Sequence, residues 1–442
     1  MDEKITVPKR ILSSLISSVS AGVVPRLGAP YIAIGREAEI SALLSDLEIV
    51  GEGGSAMRFV IGKYGSGKSF LIQLMRGYAL ERGFICADCD LSPERRLCGG
   101  KGSGIATYRE LIKNMSSKTS PEGGALGPVI SRWLSSVQGE VAQSGVLPES
   151  PDFGKEVSKR VFALSKKMEN SVGGFDFASV INSYYRAETE GSDELKSACL
   201  RWLRGEYTTK TEAREYLSVG SLISDDNWYD YIKLWAEFVK SIGYRGFVVF
   251  IDECVNLYKI TNRVSRENNY EKILSMFNDT LQGRAPGLCM IMGGTPQFLE
   301  DTRRGLFSYE ALRSRLADGR FTGSGEFRDM LGPVIRLRRL SDNELFALIS
   351  RLTKLHGMYY SWEPRVTEEQ QAQFLREAVS RTGADTMMTP REMIRDYMSV
   401  LNILLQNPSA GFTDVVRSTA SQTAAASAAE ETKEISLDDI EI

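Results

Sequence analysis

The run FVIGKYGSGKSFLIQL, residues 59–74, constrains the fold of this chain more than any other stretch. An apolar segment leads into three glycines and a Lys-Ser pair, and a helical pattern follows. The spacing satisfies GxxxxGK[ST], a loop whose glycines let backbone N–H groups turn inward around phosphate oxygens. Gly62, Lys63, Tyr64, Gly65, Ser66, Gly67, Lys68, Ser69 and Phe70 are the candidate nucleotide-binding residues. Lys68 is placed to reach the β- and γ-phosphates, and Ser69 to offer its hydroxyl to Mg²⁺. Such a loop needs a buried strand before it and a helix after it. That requirement commits the chain to an α/β fold.

Four more short apolar runs read as buried strands: FICADCD (84–90), GFVVFIDE (246–253), GLCMIMGGT (287–295) and PVIRLRRL (333–340). With MRFVIG (57–62) they make five strands separated by helical patterns, the signature of a five-stranded parallel sheet. The second and third strands are far apart. Helical patterns between them predict an insertion over about 105–240, with Trp133, Trp202, Trp228 and Trp235 in its core. The expected organisation is a helical segment at 1–33, an ATPase core at 34–340, a helical lid at 341–410 and a disordered acidic tail at 411–442. In the helix of 34–47, Ile40, Leu43, Leu44 and Leu47 are expected on one face. Ser341 and Asp342 make a good start for the first lid helix.

Composition narrows the function classes. A net charge of −3 supplies no global field toward nucleic acid or a membrane surface, so any DNA contact requires a local patch. One histidine among six cysteines argues against a four-ligand zinc site at Cys86 and Cys89, which read as structural thiols. There is no signal-peptide pattern at the start and no membrane-length apolar run, so a cytoplasmic location is expected.

FVVFIDE ends in two carboxylates, and here the chemistry divides. Asp252 is the candidate Mg²⁺ ligand. Glu253 is the candidate general base for an attacking water, a group that separates hydrolysing ATPases from kinases. Thr295, after the fourth strand, is either a sensor of the γ-phosphate or a turn threonine. Arg313 and Arg315 are candidates to reach a neighbouring copy's site, or else a solvated basic face. Arg391 is either a lid arginine aimed at the nucleotide or a surface residue. The strand order, the late acidic pair, the threonine and the lid together resemble the AAA+/ASCE-type P-loop NTPases.

A closer resemblance rests on IGREAEISALLSDLEIVGEGGSAMRFVIGKYGSGKSFLIQL, DLSPERRLCGGKGSGIATYRELIKNMSSKT and FIDECVNLYKI. These are similar to the ATP-binding proteins BrxC and BrxD of the bacteriophage exclusion (BREX) systems, and the compact length resembles BrxD. The resemblance implies an ATPase of antiviral defence, with ATP and Mg²⁺ as cofactors and helicase or methyltransferase components as partners. Duplex DNA and a second copy of the chain are further candidate partners. The loop with Arg95, Arg96 and Lys101 reads as a flexible basic contact for DNA phosphates or as a structural loop. The arginines at 336–339 are expected to form salt bridges. The tail EETKEISLDDIEI is either a docking segment or a solubilising end. Two other readings stand beside the hydrolysing switch: a STAND-like regulatory NTPase with slow turnover, and a DNA-loading ATPase akin to origin-recognition proteins.

Overall fold

The apolar run AMRFVI becomes β1 (Ala56–Ile61), buried along its whole length. A computed structural model describes residues 6–100, 102–168, 171–319, 328–380 and 389–416, with only the backbone described at 164–167 and 379–380. Two helices precede β1, α1 (Lys9–Ser20) and α2 (Glu37–Gly51). After it come α3 (Lys68–Glu81) and β2 (Ile85–Asp90). The insertion supplies α4 (Ser103–Lys113), α5 (Leu126–Gln143), α6 (Phe153–Met168) and α7 (Gly174–Glu190). It continues with α8 (Asp193–Leu203), α9 (Lys210–Leu217) and α10 (Trp228–Ser241). Then follow β3 (Phe247–Asp252), α11 (Val255–Tyr258), α12 (Arg263–Leu281) and β4 (Leu288–Gly294). Further along come α13 (Pro296–Glu300), α14 (Glu310–Leu316), β5 (Val334–Arg336), α15 (Asp342–Tyr360), α16 (Glu368–Ser380) and α17 (Pro390–Gln406).

The five strands pair in parallel in the order β2-β3-β4-β1-β5. β4 therefore lies between the strand that leads into the phosphate loop and the strand that ends in the acidic pair. β3 and β4 are buried throughout, as parallel strands covered on both faces must be.

The described residues form two compact units. One contains the sheet and the insertion, Glu37–Lys63 and Met75–Leu337; the other contains the described parts of Met1–Arg36, Tyr64–Leu74 and Arg338–Ile442. Each has its own apolar core. In the sheet unit, Trp202, Trp228 and Trp235 are buried with Trp133, and Trp133 and Trp235 each meet Phe238 edge-on. They are core residues, as expected. In the helical unit, α1 packs against α15 and α17 through Leu12, Leu15, Ile16 and Val19.

One expectation needs extending and another needs correction. Of the expected face of α2, Leu43 and Leu47 are buried and Ile40 and Leu44 half-buried, but the buried stripe also takes in Glu39, Ala42, Asp46 and Val50. The reason is charge pairing. Asp46 receives two hydrogen bonds from buried Arg58 of β1, at 2.6 and 2.7 Å, and Glu39 receives one from Arg328 at 2.9 Å. The tail does not begin at 411: residues 412–416 are helical, with Phe412, Val415 and Val416 buried. Its acidic end lies outside the described residues. The salt bridges expected of the arginines at 336–339 are present, from Arg336 to Glu300 and Asp318 and from Arg338 to Glu344.

Candidate nucleotide site

β1 delivers the chain to Gly62, whose N–H continues the sheet by donating to Gly294 O at 3.1 Å. The turn that follows needs glycine at two places. Gly65 and Gly67 have φ of +75° and +87°, in the left-handed region that side chains other than glycine seldom adopt. Successive N–H groups in such a turn form a concave anion nest, and α3 begins immediately at Lys68.

In the helical unit the loop is held from two sides. Buried Arg36 donates through Nη2 to Ser66 O at 2.7 Å and to Arg338 O at 2.8 Å. Thr389, the N-cap of α17, lies so close that a Cβ on Gly65 would sit 2.8 Å from its Cγ2. Phe70 packs its ring against the helical core. Within the loop, Ser66 Oγ is buried with no hydrogen-bond partner among the described residues. Space opposite Gly67 is open but for Arg36 Nη2 at 3.8 Å from a built Cβ. An orphaned hydroxyl, an open glycine and two left-handed turns fit phosphate oxygens. Tyr64 is 79% exposed and takes no part in this packing.

In the sheet unit, the strands end in a concentrated negative edge. Ile251 is in register with Met292, which is in register with Phe59, so Asp252 ends its strand two strands from β1, about 10 Å away. Asp252 is buried, and its Oδ1 accepts the Glu253 N–H at 2.8 Å. Glu253 is exposed, with φ at +56°. Asp90 ends β2 in register with Asp252. Burial, and then the carboxylates of Asp252, Glu253 and Asp88, push the Asp90 carboxyl above its ordinary range.

The other candidates fall in varied settings. The Thr295 hydroxyl caps α13, accepting the Phe298 N–H at 3.3 Å. Arg315 donates to Asn278 Oδ1 at 3.1 Å and to Ala311 O at 2.7 Å, and Arg313 is exposed on the same short helix. Arg391, in the first turn of α17, is exposed, and its Cγ lies 3.8 Å from a Cβ built on Gly22. Cys86 and Cys89 are buried in β2, where burial pushes each thiol up to about 12.

The basic loop after β2 is anchored by hydrogen bonds over its described residues. Asn269 Oδ1 accepts the N–H groups of Leu97 and Cys98, each at 3.0 Å, and Trp228 Nε1 donates to Leu97 O at 2.9 Å. Asp225 fixes Gly102 and Ile105 in the same way, at 2.9 and 2.7 Å. Arg95 donates to Asp90 O at 3.0 Å. Lys101 lies outside the described residues.

The family described as BREX system ATP-binding protein BrxC/D matches residues 7–420. The chain belongs to this family. No curated protein matches the chain. Membership in the BrxC/BrxD family assigns the chain to a phage-defence system, identifies it as an ATP-binding protein and makes other components of the system its partners. Among the described residues, no helix is long and apolar enough to cross a membrane.

Arg36 is the site residue that the sequence did not announce. It stands in IGRE, which reads locally as a turn before a helix, and its role depends on meeting Ser66 thirty residues later.

Proposed function

We propose that the chain is a Mg²⁺-dependent ATPase of the AAA+ type, working as a switch that couples nucleotide state to other BREX components or to DNA. The observation that carries this reading is the asymmetry of the acidic pair. Asp252 is buried and its carboxylate is oriented by the Glu253 N–H, whereas Glu253 is exposed to solvent. The first suits a fixed ligand and the second a base that meets water.

In this reading Gly62–Ser69 hold the triphosphate, with Lys68 on the β- and γ-phosphates. Ser69 and Asp252 would hold Mg²⁺, which when bound neutralises charge on the phosphate oxygens. Glu253 takes a proton from the attacking water as its oxygen bonds to the γ-phosphorus. The bond to the β-γ bridging oxygen breaks, and ADP and phosphate leave. Thr295 would sense the γ-phosphate while keeping its helix cap, and Arg313 and Arg315 would act on a neighbouring copy. Arg391 belongs to the helix whose N-cap touches Gly65, so movement of the loop is felt at the start of α17.

That last contact also favours a second reading, a regulatory NTPase of slow turnover. A loop gripped by Arg36 and Thr389 is built to report occupancy to the helical unit. Steady-state ATP hydrolysis with and without duplex DNA separates the two. Turnover stimulated by DNA and lost in Lys68→Ala and Glu253→Gln is expected for the nucleic-acid-coupled ATPase. Nucleotide binding with negligible turnover under both conditions favours the regulatory switch. A Glu253→Gln variant as active as the wild type removes Glu253 from the mechanism.

A further inference from the structure

We propose that Arg304 is a positioning residue for Glu253, acting through a latch with Tyr258 and Asp301 that ties the segment leaving β3 to the segment leaving β4. The inference rests on the hydrolytic reading above for its consequence, and on geometry within the sheet unit for its existence.

Among the described residues, Ser218, Glu253 and Ser361 are the non-glycine residues with positive φ. Ser218 and Ser361 end helices α9 and α15, where a left-handed residue is the ordinary way to stop. Glu253 has no such excuse. It sits between a strand and a four-residue helix, and a backbone in this region persists only when its surroundings over-determine it. α11 is too short to hold itself in place. It is anchored from outside instead.

At its start, Cys254 N–H donates to Gly293 O at 3.0 Å, and Asn256 Nδ2 donates to Leu91 O at 2.8 Å. At its end, Arg304 Nη2 donates to Tyr258 O and Ile260 O, at 3.2 and 3.3 Å. Its guanidinium lies 5.3 Å from the centre of the Tyr258 ring. The Tyr258 hydroxyl donates to Asp301 Oδ2 at 2.9 Å, and Asp301 Oδ1 accepts the N–H groups of Arg303 and Arg304. Asp301 is the residue that ends α13, the helix capped by Thr295. The latch thus joins the two post-strand segments that carry Glu253 and Thr295.

The arrangement is costly, which argues that it serves more than packing. Arg266, 6% exposed, donates to the same Ile260 O at 2.8 Å, so two guanidiniums converge on one carbonyl. The Nε atoms of both Arg266 and Arg304 are buried with no acceptor among the described residues. Like charges at one acceptor and unmet buried donors both oppose folding. Holding Ile260 and Tyr258 where they are is what this cost secures.

The test uses the full chain carrying Arg304→Gln, Arg304→Lys or Tyr258→Phe. Two readouts are taken: ATP turnover, and hydrogen–deuterium exchange of the amides at 254–260 without nucleotide. Arg304→Gln is expected to lower kcat about tenfold with KM little changed, since a displaced base costs chemistry and not binding. Exchange at 254–260 should rise with it. Arg304→Lys, which keeps the charge but cannot bridge two carbonyls in a fork, should fall between Arg304→Gln and the wild type. Tyr258→Phe should move both readouts in the same direction and by less. Unchanged exchange at 254–260 in Arg304→Gln overturns the proposal whatever the turnover. So does raised exchange with kcat intact, which would make the latch a scaffold only. Failure of the hydrolytic reading is seen separately, as wild-type turnover that Glu253→Gln leaves untouched.

Discussion

His356 is the chain's single histidine, and its hydrogen bonds fix its protonation. Trp362 Nε1 donates to Nδ1 at 2.9 Å, so the ring proton lies on Nε2, which faces Asn402 Oδ1 at 3.0 Å. A second proton would have to displace the tryptophan donor. Burial holds the imidazole below its ordinary value of 6.5, with the bond to Asn402 opposing. A folded state that prefers the neutral ring carries stability that is full above pH 6.5 and lost as pH falls through the lowered folded value. A tenfold difference in proton affinity between the folded and unfolded chain is worth about 1.4 kcal/mol. Denaturant unfolding between about pH 7.5 and pH 5.5 should therefore show a loss in the wild type that His356→Gln lacks. Equal slopes in the two proteins would mean that His356 titrates normally in the fold. The same residue illustrates what sequence alone supplies. The single histidine counted in the sequence only against a zinc site; its partners come from 6 and 46 residues away and no local pattern names them.

At the scale of elements, what is legible follows from how local the signal is. The five strands stand within a few residues of the apolar runs that foretell them, because a strand buried on both faces needs only continuous apolar side chains. The serine that starts α15 forms a full capping box with Glu344, a contact spanning three residues. Sequence pattern fails where charges are buried through distant pairing. It misses part of the buried face of α2 because Asp46 and Glu39 count as polar in any pattern, yet both are buried against Arg58 of β1 and Arg328. The anchoring of Leu97, Cys98, Gly102 and Ile105 is hidden for the same reason, since distant Asn269 and Asp225 supply it. The Arg58–Asp46 pair offers a measure of this effect. Asp46→Ala leaves a guanidinium only 9% exposed without its carboxylate, and should destabilise by about 3–5 kcal/mol. Replacing both partners with apolar residues of similar volume should recover most of that loss. Chemical denaturation of the single and double variants decides it. A single variant within about 0.5 kcal/mol of the wild type would show that solvent already reaches the pair.

For the whole molecule, the loop's position in the chain sets what a ligand does. The chain leaves the sheet unit after Lys63, contributes Tyr64–Leu74 to the helical unit, and returns at Met75. The core of the helical unit joins α1 to α15, α16 and α17, so residues near both ends of the described chain fold together with the phosphate loop. Anything that binds the folded loop and not the unfolded chain must raise the stability of the fold by mass action. At a hundredfold excess over its dissociation constant, ATP with Mg²⁺ should add about 2.7 kcal/mol. The variants then separate binding from chemistry without any turnover assay. Lys68→Ala should lose the ATP-induced rise in Tm, because the cation proposed to meet the β- and γ-phosphates is gone. Glu253→Gln should keep the full rise, since its proposed work is on water and not on the nucleotide. Asp252→Ala should leave a smaller rise that no longer responds to Mg²⁺, because the buried carboxylate proposed to hold the ion is removed while the loop remains. Thermal melts across an ATP series, with and without Mg²⁺, read all three. A Lys68→Ala protein that is stabilised as strongly as the wild type would place the nucleotide somewhere other than this loop.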